Sequence, residues 1–267
     1  MSRYEFGVVD TLKSVAPWTG GKYRSYKIIV ERIMQTPHRQ YAEPFVGMGG
    51  IFLRRPVVVK YEFINDYNKD VSNLFRVLQR HYDVFTDAVQ FLVSSRDEFE
   101  RQVNTNPDVL TDVERAVRFY YIQRICYGGQ SISPCFGVDR KRTGRFNIKK
   151  LESDLKALHN RLSGVVIECL SYESFIPRYD DTDTLFYLDP PYYGSENGYG
   201  PGLFNRDDYV KICILLHNLE GRFLMSLNDT PEIRGIFSTF NIETIDSLYT
   251  MQNRGKNIIS RELLISG

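Results

Sequence analysis

Apolar and polar positions along this chain follow two different periods, and the period switches segment by segment. Residues 22–35 ("KYRSYKIIVERIMQ") put Tyr26, Ile29 and Ile33 at helical spacing. The run "RQYAEPF" (39–45), stopped by "GMGG", then predicts a short buried strand and a glycine turn, with a helix expected after the glycines. Residues 57–66 ("VVVKYEFIND") are β-branched and aromatic and end in an acid, and Val71, Leu74, Phe75 and Leu78 fall on one helical face behind them. Leu151, Leu155, Leu158 and Leu162 mark a later amphipathic helix. Beyond it the runs 165–170, 184–189, 222–229, 240–248 and 258–266 read as strands, with helical patterns at 207–219 and 231–238 among them. Seven strands alternating with helices predict an α/β fold: a seven-stranded, mostly parallel sheet with helices on both faces. In such sheets, sites lie at the carboxyl ends of the strands.

Residues 67–147 interrupt this rhythm. They carry helical patterns without convincing strands, then a stretch punctuated by glycine and proline with basic and aromatic residues interleaved ("CYGGQSISPCFGVDRKRTGRFNIKK", 126–150). This predicts a mainly helical lobe inserted into a domain formed by 1–66 and 148–267. Composition narrows the setting. With 267 residues, 42% of them hydrophobic, the chain is long enough for one large core with a smaller lobe. A net charge of +1 gives no global pull toward nucleic acid or membrane, so any basic surface must be local. The start "MSRYEFGVVD" has no apolar signal region, and no stretch approaches the roughly 18 apolar residues of a membrane span. The four cysteines form no C-x-x-C pair, which predicts reduced thiols and no metal site. A cytoplasmic monomer is expected.

Two strand ends carry candidate chemistry. Gly47, Gly49 and Gly50 sit at a strand-to-helix turn, where missing side chains let a ligand approach the backbone, although a plain tight turn needs glycine too. Asp66 ends the next strand, where an acid commonly accepts hydrogen bonds from ribose hydroxyls; the two together suggest an adenosyl-containing cofactor. The third feature is "DPPY" (189–192), directly behind the apolar run "TLFYL". Two prolines cannot continue a ladder, so the turn is rigid and fixes a carboxylate and a proline carbonyl. Both are acceptors, and Tyr192 adds a stacking face. The set suits a planar amine with two N–H donors, such as the exocyclic amino group of adenine or cytosine.

These blocks resemble the DNA adenine methylase family, the D12 class of N6-adenine-specific DNA methyltransferases. "PWTGGKY" (17–23) resembles its amino-terminal block, "EPFVGMGG" (43–50) its cofactor loop, and "DPPY" is identical to its catalytic motif; "SLND" (226–229) and "RELLI" (261–265) resemble late family strands. The resemblance implies a Rossmann-like fold dependent on S-adenosylmethionine, with double-stranded DNA as the partner. It also implies a target-recognition lobe between cofactor loop and catalytic motif. Trp18, Lys22, Phe45, Gly47, Asp66, Leu170, Ser171 and Asp189 are then expected at the cofactor, Lys22 at its carboxylate. Asp189, Pro190, Pro191 and Tyr192 are expected to be catalytic, and no metal is needed. In the insert, Arg140, Lys141, Arg142 and Arg145 suit phosphate or guanine contacts, and Tyr127 and Gln130 suit a base. A cytosine-N4 enzyme, an RNA adenine enzyme and a non-catalytic DNA-binding module are the competing readings. His81, His159 and His217 each stand alone on a helical pattern and receive no role.

Overall fold

The computed structural model describes residues 7–126, 129, 134–137, 148–196, 202–250 and 257–267. Helix α1 (Tyr26–Gln35) follows a two-residue strand, β1 (Gly7–Val8), and buries Ile29, Val30 and Ile33. It stops at Thr36, which precedes Pro37 and is extended, as the residue before a proline prefers. Strand β2 (Gln40–Glu43) leads into the glycine turn.

The helix expected after that turn is only one 3₁₀ turn, Phe52–Arg54. Paired glycines before it and Pro56 after it, with Arg55 already extended, leave too little chain for more. The 57–66 run also divides. Val57–Val58 (β3) pairs antiparallel with β1, and only Tyr61–Asn65 (β4) enters the main sheet.

Four helices follow: α2 (Lys69–Arg80), α3 (Tyr82–Gln90), α4 (Arg96–Asn104) and α5 (Asp112–Ile125). Then come α6 (Ile148–Arg161), β5 (Val166–Glu168), α7 (Tyr172–Tyr179), β6 (Thr184–Leu188), α8 (Asp207–His217), β7 (Arg222–Asn228), α9 (Pro231–Ile236), β8 (Asn241–Thr250) and β9 (Asn257–Ser266). The main sheet has seven strands in the order β5-β4-β2-β6-β7-β9-β8. Its first five are parallel, and β9 runs antiparallel to both β7 and β8. This is the expected α/β architecture.

Side-chain alternation divides the strands between two cores. Tyr41, Ile64, Leu185 and Tyr187 face α1, α2 and α6, while Ala42, Phe186, Leu188 and Met225 face α7, α8 and α9. Phe85 of α3 and Tyr120 of α5 join the first core, whereas Phe99 of α4 and Tyr121 and Ile125 of α5 form a small cluster of their own. The chain runs outward from β2 through β4 to β5, then returns to β6 beside β2. Between β2 and β6 the strand order reverses, which is where open α/β sheets hold ligands. Among the described residues, no helix is long and apolar enough to cross a membrane, and no group of three or more His, Cys, Asp or Glu is placed to hold a metal ion.

Candidate active site

Asn65, the last residue of β4, ties three strand ends together. Its amide nitrogen donates to the carbonyls of Pro44 (2.9 Å) and Leu170 (3.0 Å), and its oxygen accepts from the Leu170 N–H at 2.8 Å. The next residue is thereby fixed. Asp66 accepts from the backbone N–H groups of Gly47 and Asn68, both at 2.9 Å, one on each oxygen. Burial pushes its carboxyl up to about 6, against the pull of those two donors. Gly47 has φ +50°, and a Cβ there would lie 2.8 Å from Trp18 Nε1. The glycine is required both by its backbone and by the indole laid across it.

The second half of the site forms at β6 and β7. Lys22, only 3% exposed, places its ammonium 2.5 Å from Asp189 Oδ1, 3.1 Å from the Gly20 carbonyl and 4.6 Å from the centre of the Tyr192 ring. Ser226 Oγ donates to the same Oδ1 at 3.0 Å and is itself 2.8 Å from the Tyr187 hydroxyl. Both contacts converge on Oδ1. Burial raises the Asp189 carboxyl above the usual range, and Lys22 opposes that rise by favouring the charged form. The turn that follows is pinned from outside. Tyr209 donates to the Pro191 carbonyl at 2.9 Å, and the Asn228 amide exchanges two hydrogen bonds with the backbone of Tyr193, at 2.9 and 3.0 Å.

Both halves open into one cleft at the β2–β6 switch point. The model of the D12 class N6 adenine-specific DNA methyltransferases matches residues 18–251, so it spans every feature just described. The chain belongs to that family. The methyltransferase is 25% identical to the type II methyltransferase M.MjaIII of Methanocaldococcus jannaschii, over 96% of this chain and 94% of the relative. It is 22% identical to M.CviBI of Paramecium bursaria Chlorella virus NC1A, over 86% and 88%, and 22% identical to a DNA adenine methylase of Vibrio cholerae, over 89% of each chain. It is a site-specific DNA adenine-N6 methyltransferase.

Of the residues expected from the sequence, the methyltransferase brings Trp18, Lys22, Phe45, Gly47, Asp66, Asp189 and Pro191 to the lining of this cleft. Tyr192 stands beside it under the Lys22 ammonium. Leu170 and Ser171 do not line it. Leu170 is held by Asn65, and Ser171 precedes α7 with its hydroxyl on Ser174 at 3.2 Å. Lys22, expected at the cofactor carboxylate, is paired with Asp189. Tyr127, Gln130, Arg140, Lys141, Arg142 and Arg145 lie outside the described residues. Gly129, between two of them, packs on the amino-terminal block: a Cβ there would lie 2.6 Å from the Pro17 carbonyl carbon, and Thr19 donates to its carbonyl at 3.2 Å.

The sequence reading missed Glu43, Tyr187, Ser226 and Asn228. An acid or serine inside an otherwise apolar strand was the available signal, since a buried polar group must find a partner.

Proposed function

We propose that this DNA methyltransferase draws its methyl group from S-adenosylmethionine and delivers it to an adenine turned out of the duplex against Tyr192. Asp189, held on the cleft lining through Oδ1 by Lys22 and Ser226 with the Pro190 carbonyl next in the chain, is the observation that carries this reading. The cleft lining also fits the cofactor. Three acids, Glu43, Asp66 and Asp189, stand against one ammonium, Lys22, so the cleft offers a cation more acceptors than it has positive charge, and Trp18, Phe45, Tyr67 and Phe204 supply apolar surface for an adenosyl group.

When bound, S-adenosylmethionine supplies an electrophilic methyl group on a sulfonium sulfur. The chain does the positioning. Asp66 offers each ribose hydroxyl an acceptor already oriented by a backbone N–H. Tyr192 gives the extruded base a stacking face, recovering part of the few kcal/mol that extrusion costs. Asp189 and the Pro190 carbonyl accept hydrogen bonds from the two amino N–H groups and so aim the nitrogen lone pair, which is the larger part of the catalysis; the methylated nitrogen then releases one proton to solvent. Lys22 favours the charged form of Asp189 against burial, and the carboxylate stabilises the ammonium that forms. Reading of the target site falls to the insert, 67–147, with 1–66 and 148–267 as the catalytic part. One chain supplies the whole cleft, so we propose that it works as a monomer, in the cytoplasm where duplex DNA is its substrate.

Trp18 is the one tryptophan in the chain. Titration with S-adenosylmethionine should therefore change indole emission saturably. Asp66→Ala should move the midpoint up by roughly tenfold or more, because hydrogen bonds to a charged group are worth about 1.5 to 3 kcal/mol. Calorimetric binding with flat Trp18 emission would remove the amino-terminal block from the cofactor site.

A further inference from the structure

One acid in the cleft has no part in holding either ribose or base. Glu43 ends β2, is 1% exposed, and lines the cleft beside Tyr187 of the neighbouring strand β6. Its one hydrogen bond among the described residues comes from the Tyr41 hydroxyl, which donates to Oε1 at 2.5 Å. The cations around it are committed elsewhere. Arg55 and Arg161 both bind Glu62 of β4, at 2.9 and 2.6 Å, and Lys22 binds Asp189. The groups that face Glu43 are thus Tyr41 on its own strand, Tyr187 and Asp189 from β6 and its end, Arg55 behind the 3₁₀ turn, and Arg161 of α6; Lys22 and Asp66 share the cleft. Burial pushes the Glu43 carboxyl up to about 8; the Tyr41 hydrogen bond and Arg55 oppose the rise, and Asp189 adds to it. A buried acid without a counter-ion stays neutral near pH 7 until a cation arrives.

We propose that Glu43 is the counter-ion of the cofactor's sulfonium: it holds a proton while the cleft is empty and releases that proton to solvent when the cation binds. The proposal rests on the reading that this cleft takes S-adenosylmethionine. It gives the cleft a way to tell donor from spent cofactor. Transfer of the methyl turns the sulfonium into a neutral thioether, the Glu43 carboxylate loses its partner, and it takes a proton back from solvent. The product is then held without the ion pair.

Calorimetry of the wild-type protein at pH 7, in phosphate and in Tris, counts the protons exchanged on binding. S-adenosylmethionine should release most of one proton more than S-adenosylhomocysteine, which shares every group except the charged methyl-sulfonium. The ratio of the two affinities should rise several-fold from pH 7 to pH 8, as linkage requires. Glu43→Gln should abolish both the difference and the pH dependence. Tyr41→Phe should keep the difference and move its midpoint to higher pH, because a hydrogen bond favouring the charged form is lost. Equal proton counts for the two ligands, or a difference that survives Glu43→Gln, would overturn this proposal alone. Binding of neither ligand would overturn the cofactor reading and this proposal with it.

Discussion

At the scale of single residues, two acids at the ends of the strands that flank β2 are handled differently. Among the described residues, Asp66 takes only backbone N–H donors, whereas Asp189 is paired with Lys22 and Ser226 on a single oxygen. Lys22 opposes the upward push of burial on Asp189. Lys22→Met should therefore move the acid limb of the single-turnover rate to higher pH, and a limb that stays in place would deny the pair any role in ionisation. Gly47→Ala faces both a positive φ and the indole of Trp18. Backbone strain of this kind costs about 1 to 3 kcal/mol, so cofactor affinity by calorimetry should fall roughly tenfold or more. "DPPY" and the glycine turn were legible because prolines, glycines and strand-ending acids have few other uses. The Lys22–Asp189 pair was not, since the partners are 167 positions apart and only the fold brings them together.

At the scale of elements, the site depends on strand ends held in register. Asn65 joins β4 to the chain leaving β2 and β5 through three hydrogen bonds. Each is worth about 1 kcal/mol, so Asn65→Ala should lower unfolding stability by about 3 kcal/mol in urea, together with cofactor affinity, because Asp66 is the next residue. A loss under 0.5 kcal/mol would show that these bonds are replaced by water. All seven strands of the main sheet were legible from apolar runs bounded by breakers. The 3₁₀ turn at Phe52–Arg54 was not, because a glycine turn in this class normally opens a full helix and Pro56 acts from beyond the segment. The split of 57–66 was hidden for a different reason: β1, partner of its first two residues, is too short to show a period.

At the scale of the whole molecule, buried ionisable groups set how stability follows pH. Glu43 has its carboxyl raised to about 8, so the folded state binds a proton that the unfolded chain has lost, and stability falls as pH rises toward 8. His38, lowered to about 4 chiefly by burial, acts in the opposite sense below pH 6.5, and the rise of Asp66 to about 6 is spent by then. Of these three groups, Glu43 is the one that titrates between pH 6.5 and 8. The melting temperature of the free protein should drop across it, and Glu43→Gln should flatten the drop; an equal slope in both proteins would place the titrating group elsewhere. No sequence pattern announced this, because the environment of Glu43 is assembled from two strands, the chain after the 3₁₀ turn and a helix. What the molecule does with its cleft is tested most directly on duplex DNA incubated with S-adenosylmethionine and digested to nucleosides. The wild type should yield N6-methyladenine, and Asp189→Ala should lower that yield by a factor on the order of 10² or more, with cofactor affinity changed only a few-fold, since positioning of the acceptor amine is what is lost. Near-normal N6-methyladenine from purified Asp189→Ala, or a methyl group found on cytosine, would contradict the clamp.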